Sequence, residues 1–124
     1  MPVTCLIVDD NAAFLAAATR LLEGEGIVVV GVASTAKSAV ARAGETRPDV
    51  ALVDVDLGED DGFDVAELLA SLPDGGPAVI LVSGDGPEGF RDRIAATSAL
   101  GFIPKIELSA PEIEKLLQAR RPDR

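Results

Sequence analysis

The chain has 124 residues, 48% of them apolar but only four aromatic, a formal net charge of −10 and no histidine. That length supports one domain with a single core; the acidic balance argues against nucleic-acid or anionic-membrane binding by this domain, and without imidazole any acid, base or metal chemistry falls to carboxylates, Lys and hydroxyls. A single cysteine, Cys5, inside an apolar run excludes an intrachain disulfide and reads as a buried thiol in a reducing cytoplasm, while no apolar stretch nears the roughly 20 residues needed to cross a bilayer.

Strand and helix patterns alternate five times. Residues 3–8 are a short apolar run of the kind a strand buried on both faces requires. Residues 11 to about 23 follow with Phe14, Leu15, Ala18, Leu21 and Leu22 at helical spacing, and Gly24 and Gly26 end that helix. Residues 27–32 are almost wholly β-branched; Ser34 or Thr35 then caps a second helix with Ala36, Ala39, Val40 and Ala43 inward and Gly44 at its end. Arg47-Pro48 turns the chain into a third strand over 50–53. Residues 54–61 are too acidic and glycine-broken to be regular and are expected as a loop carrying chemistry.

A helix over 62–72 should place Val65, Leu68, Leu69 and Leu72 inward, closed by Pro73 and Gly75-Gly76-Pro77. A fourth strand, 78–82, leads through a glycine-rich connection to a helix of modest apolar content around Phe90, Ile94 and Ala95. A fifth strand covers 101–104. Ser109 and Glu112 fit a capping box, so the last helix starts near Ala110 with Ile113, Leu116 and Leu117 inward, and Arg120, Arg121 and Arg124 complement its C-terminus. Five such units make an α/β domain over 1–124, a doubly wound five-stranded parallel sheet with five helices and right-handed crossovers.

Four of the apolar runs stop on a reactive side chain: Leu6-Ile7-Val8 on Asp9-Asp10, Ala51-Leu52-Val53 on Asp54, Ile80-Leu81-Val82 on Ser83, and Phe102-Ile103-Pro104 on Lys105. Parallel strands bring these to one edge, where open α/β sheets bind ligands. Two unit charges about 4 Å apart repel by roughly 4 kcal/mol at an effective dielectric near 20, so Asp9, Asp10 and Asp54 together need a cation. Oxygen-only ligands suit Mg²⁺. A metal-bound carboxylate beside a Lys and a hydroxyl suits phosphoryl transfer onto an Asp oxygen, with Asp54 as acceptor, Lys105 neutralising the equatorial oxygens and Ser83 bonding the attached group.

On these residues, together with Asp61-Gly62 and Gly84, the chain resembles the receiver domains of two-component response regulators over its full length. The resemblance implies a flavodoxin-like strand order 2-1-3-4-5. It makes Asp54 the phosphoacceptor, Asp10 a direct Mg²⁺ ligand, Asp9 a ligand largely through water, and Asp56 a ligand through its backbone carbonyl. Lys105 pairs with the phosphoryl group, and Ser83 and Phe102 form the switch that alters the face of the fourth helix, fifth strand and fifth helix. The implied partners are a sensor histidine kinase or phosphotransfer protein and an output domain or target protein, with homodimerisation on phosphorylation; such a domain catalyses only its own phosphorylation and dephosphorylation.

The chain also departs from that pattern. Gly58 stands where receivers often carry Pro, which should loosen the loop, and Ile106 stands after Lys105 where many have Pro. Ile106-Glu107-Leu108-Ser109 resembles receivers that precede a helix-turn-helix domain. Asp54-Val55-Asp56 also resembles the nucleophile motif of haloacid-dehalogenase-type phosphatases, but it lies at mid-chain and no acidic pair follows Lys105.

Overall fold

The computed structural model describes residues 2–119; the cations expected at the end of the last helix, Arg120, Arg121 and Arg124, lie outside the described residues. Strands β1 (Thr4–Val8), β2 (Val28–Ala33) and β3 (Val50–Asp54) precede a two-stranded ribbon, β4 (Asp56–Leu57) and β5 (Asp60–Asp61), and then β6 (Ala78–Ser83) and β7 (Gly101–Pro104). Helices α1 (Ala12–Gly24), α2 (Ala36–Thr46), α3 (Gly62–Ala70), α4 (Arg91–Ala96) and α5 (Ala110–Ala119) fill the connections. The main sheet is parallel with order β2-β1-β3-β6-β7, which is 2-1-3-4-5 when only its own strands are counted.

Strands covered on both faces must be apolar at every position. Leu6, Val8, Ala51, Val53, Val79 and Leu81 face a core closed by α2 and α3, against which Phe90 and Ile94 pack. Cys5, Ile7, Val50, Leu52, Ile80, Val82 and Ile103 face a second core closed by α1 and α5. The register carries β3 to Asp54 opposite Val82 and β6 to Ser83 opposite Pro104. The polar residues are therefore delivered at one level because the apolar stretches before them pair in step.

Local chemistry explains the differences from the sequence reading. Helix α2 continues through Gly44 to Thr46, because its stop is Arg47, in the left-handed region at φ 47° with its N–H on the Ala43 carbonyl; the following Pro48 disfavours a right-handed residue there. Within residues 54–61, Asp54 ends β3 and residues 56–61 form a hairpin rather than an irregular loop. Its two-residue turn, Gly58-Glu59, has Gly58 at φ 76°, the place where a type II′ turn takes glycine. Leu68 is half-exposed, with Phe63 and Ala66 of the same helix buried instead, and Leu21 of α1 is also exposed. The fourth helix is six residues long, preceded by a 3₁₀ turn over Pro87–Phe90.

Thr35 caps α2 in a reciprocal box with Ser38, and the Ser109 Oγ accepts the Glu112 N–H at the start of α5. The Lys105-Ile106 peptide is trans, as are all those described. Among the described residues no helix is long and apolar enough to cross a membrane.

Candidate functional site

Asp9 leaves β1 fully buried, and both its ends are fastened. Its N–H bonds the Ala33 carbonyl at 2.9 Å, and its Oδ1 accepts the Asn11 N–H at 2.8 Å. Asn11 in turn caps α1 by accepting the Phe14 N–H at 3.0 Å. Asp9, Asp10 and Asp54 bring carboxylate oxygens within 4.8 Å of one another, with Asp9 and Asp54 buried and Asp10 exposed. The donors are carboxylates alone, and Cys5 faces the α1–α5 core, so the set fits a hard cation that takes oxygen ligands.

Lys105, at the end of β7, reaches both buried acids: its Nζ lies 2.7 Å from Asp9 Oδ2 and 3.3 Å from Asp54 Oδ2. The Asp9 contact is an ion contact outside hydrogen-bond angles, so that buried oxygen has no directional donor. Asp54 Oδ1 accepts the Asp56 N–H at 3.2 Å. One ammonium thus serves two acids. Burial first, and then the Asp9 charge, raise the Asp54 carboxyl above its ordinary range despite the Asp56 N–H and Lys105. For Lys105 burial acts to lower the ammonium, but the Asp9 contact and the charges of Asp54 and Asp9 outweigh it, and the net shift is upward.

Ser83 is buried, its Oγ accepting the Asp85 N–H at 3.1 Å, one strand over from Asp54. Phe102 is not in the crevice. It packs, partly buried, with the core that Phe90 and Ile94 line. The Asp56 carboxylate accepts the Gly58 N–H at 3.1 Å and so serves its own hairpin.

That hairpin is fastened more firmly than Gly58 suggests. Asp60 accepts the Ala36 N–H of α2 at 2.8 Å, and Asp61 caps α3 at the Phe63 N–H, also 2.8 Å. The Arg93 guanidinium bonds Asp61 at 2.8 Å and stacks on Phe63, 4.2 Å from its ring centroid. Glu67 accepts from the Thr97 hydroxyl and from the Ser98 N–H and hydroxyl at 2.7 to 2.8 Å. Sequence reasoning missed Asp60, Arg93 and Glu67, and also Phe14, whose ring centroid lies 4.3 Å from Lys105 Nζ. A signal for Arg93 existed: no basic residue occurs between Arg47 and Arg91 while eleven acids do, so the cations that end this run have acids to meet.

The chain is similar to a probable transcriptional regulatory protein, TcrX, of Mycobacterium tuberculosis, 38% identical over 81% of this chain and 41% of that protein. It is also similar to a protein-glutamate methylesterase/protein-glutamine glutaminase of Alkalilimnicola ehrlichii, 34% identical over 97% of this chain and 32% of that protein. The chain spans about a third to a half of the length of the curated relatives it matches. Among solved structures, the response regulator domain of Thermotoga maritima CheB superposes over the whole of both chains with a TM-score of 0.79 at 26% identity. Residues 5–118 match the profile of the response regulator receiver domain. With its acidic cluster at the strand ends of the expected sheet, the chain belongs to the response regulator receiver domain family.

Proposed function

We propose that residues 1–124 act as a phosphoryl-accepting switch in which Asp54 is the acceptor. An Asp54 carboxylate oxygen attacks phosphorus of a phosphohistidine donor; the O–P bond forms as the donor's P–N bond breaks, the electron pair stays on the donor nitrogen, and that nitrogen takes a proton from solvent. Asp9, Asp10, Asp54 and the Asp56 backbone carbonyl would hold Mg²⁺, which supplies charge neutralisation at the phosphoryl oxygens when bound. Lys105 moves its ammonium from the acid pair to the incoming oxygens. Ser83 bonds the attached group, Phe102 follows, and the face of α4, β7 and α5 changes its affinity for an output domain, a target protein or a second copy.

The observation that carries this reading is the convergence of buried Asp9 and Asp54 on one Lys105 ammonium at adjacent strand ends. A structural ion pair needs one acid, and a second one here costs stability that a cation and a phosphoryl group can use. The phosphodonor is a sensor histidine kinase or phosphotransfer protein, and the domain turns over no metabolite; its setting is the cytoplasm. The test is incubation with Mg²⁺ and acetyl phosphate. Mass spectrometry should find one phosphoryl group on wild type and none on Asp54→Asn; equal labelling of the two would place the acceptor elsewhere.

A further inference from the structure

The Lys105 ammonium ends a flexible four-carbon stem that carries a large rotamer entropy and is strongly hydrated when free. In this fold it gives up most of that water, its side chain being 20% exposed. Two sides are compensated by Asp9 and Asp54. On a third, the ammonium meets the ring of Phe14, 4.3 Å from its centroid, well inside the roughly 6 Å over which a ring quadrupole attracts a cation.

We propose that Phe14 is a positioning residue that holds the Lys105 ammonium over the Asp9–Asp54 pair through a cation–π contact; the proposal rests on the phosphoacceptor reading above. The ring is itself well placed to do this. Its backbone is fixed by the Asn11 cap in the first turn of α1, and it packs, partly buried, on the core shared by α1 and α5. Leu or Ile could fill that core space, but neither offers a negative face. The ring also differs from the two acids in one respect that matters to the reaction. Asp9 and Asp54 change their charge environment when a cation binds and a phosphoryl group arrives, whereas the attraction of the ring does not depend on either event. It therefore keeps the stem ordered while the ammonium exchanges carboxylate partners for the incoming phosphoryl oxygens.

The experiment compares acetyl phosphate labelling rates, with Mg²⁺, for the full chain as wild type, Phe14→Leu and Phe14→Trp, and for Phe14→Leu combined with Lys105→Gln. Phe14→Leu should slow labelling by about threefold to thirtyfold, and Phe14→Trp, which keeps the best cation-binding ring, should stay within about threefold of wild type. In the Lys105→Gln background Phe14→Leu should add nothing. An equal loss in both backgrounds, or no loss in either, would mean that Phe14 only packs. The Lys105 Hε resonances of wild type decide the matter even if Phe14→Leu fails to fold: an upfield ring-current shift supports the contact, and ordinary lysine positions overturn it. Failure of wild type to label at Asp54 would instead overturn the phosphoacceptor reading, while the ring-current shift still judges the contact.

Discussion

Gly62→Ala should destabilise the protein strongly, although alanine is the better helix former and Gly62 opens α3. A Cβ there would overlap the Asp54 carbonyl oxygen and sit 2.6 Å from the Val55 Cα and 2.8 Å from the Asp54 carbonyl carbon. All three are backbone, so no rotamer change relieves the clash. The two segments are also joined, because the Gly62 N–H bonds the Val55 carbonyl at 3.0 Å and the Val55 N–H bonds the Val82 carbonyl at 3.0 Å. Separating them forfeits at least one partly buried backbone hydrogen bond, about 1 to 3 kcal/mol, and adds overpacking strain of about 1 to 3 kcal/mol. The gain in helix propensity returns about 1 kcal/mol.

The net loss is about 1 to 5 kcal/mol, which for a domain of this size lowers the melting temperature by roughly 4 to 20 °C. Gly84→Ala is the control: nothing lies within 4 Å of its Cβ position, and the change should stay within about 0.5 kcal/mol. Denaturant melts of both variants read the effect. A Gly62→Ala protein as stable as the Gly84→Ala one would refute the claim that the backbone at Asp54 and the start of α3 share a fixed contact. Because the displaced carbonyl belongs to Asp54, the proposed acceptor, acetyl phosphate labelling should fall along with stability.

Asp54→Asn should be more stable than wild type near neutral pH. Its carboxyl is raised by burial and by Asp9, so the favourable contribution of the protonated acid is present below the ordinary carboxylate range and lost as pH rises through the folded value. The stability difference between variant and wild type should therefore open on raising the pH through that window, and a constant difference would contradict it. Asp60→Ala removes the acceptor for the Ala36 N–H and should cost roughly 1 kcal/mol by urea denaturation, with faster exchange of that amide; unchanged exchange would show that the contact is not held in solution. Cys5, fully buried with its thiol pushed up to about 12 by burial, should resist an aromatic disulfide reagent at pH 8 until urea unfolds the chain.

The sheet was legible because strands covered on both faces have no choice of residue: the runs at Leu6, Leu52 and Leu81 read as buried strands and are fully buried. The acids and Lys105 were legible for the same reason, since a charge at the end of such a run can only stand at the sheet edge. What escaped were contacts between residues far apart in sequence and close only in the fold. Phe14 and Lys105 meet because the first turn of α1 and the residue after β7 reach the same edge of the sheet, Asp60 meets Ala36 through the hairpin, and Glu67 meets Ser98 through the α3–α4 approach. Helix limits failed where one backbone position decided them, as at Arg47 before Pro48.

The two sides of the site are held with different strength, and this bears on where a signal can go. Asp9 follows β1 and Asp54 ends β3, two inner strands of the sheet, and the residues that lead into them, Ile7 and Val8, Leu52 and Val53, have no exposure at all. Across the site, α4 contributes no fully buried residue and is six residues long; it is attached by partly buried Ile94 on the core, by Arg93 stacked on Phe63, and by exposed polar contacts, Arg93 to Asp61 and, just after the helix, Thr97 and Ser98 to Glu67. Exposed pairs of this kind are each worth little, whereas shifting a central strand means disrupting two cores. On the proposed switch, a change of charge at Asp54 that pulls on Ser83 would move the segment carrying α4, and the Phe102 packing beside it, at less cost than a central strand.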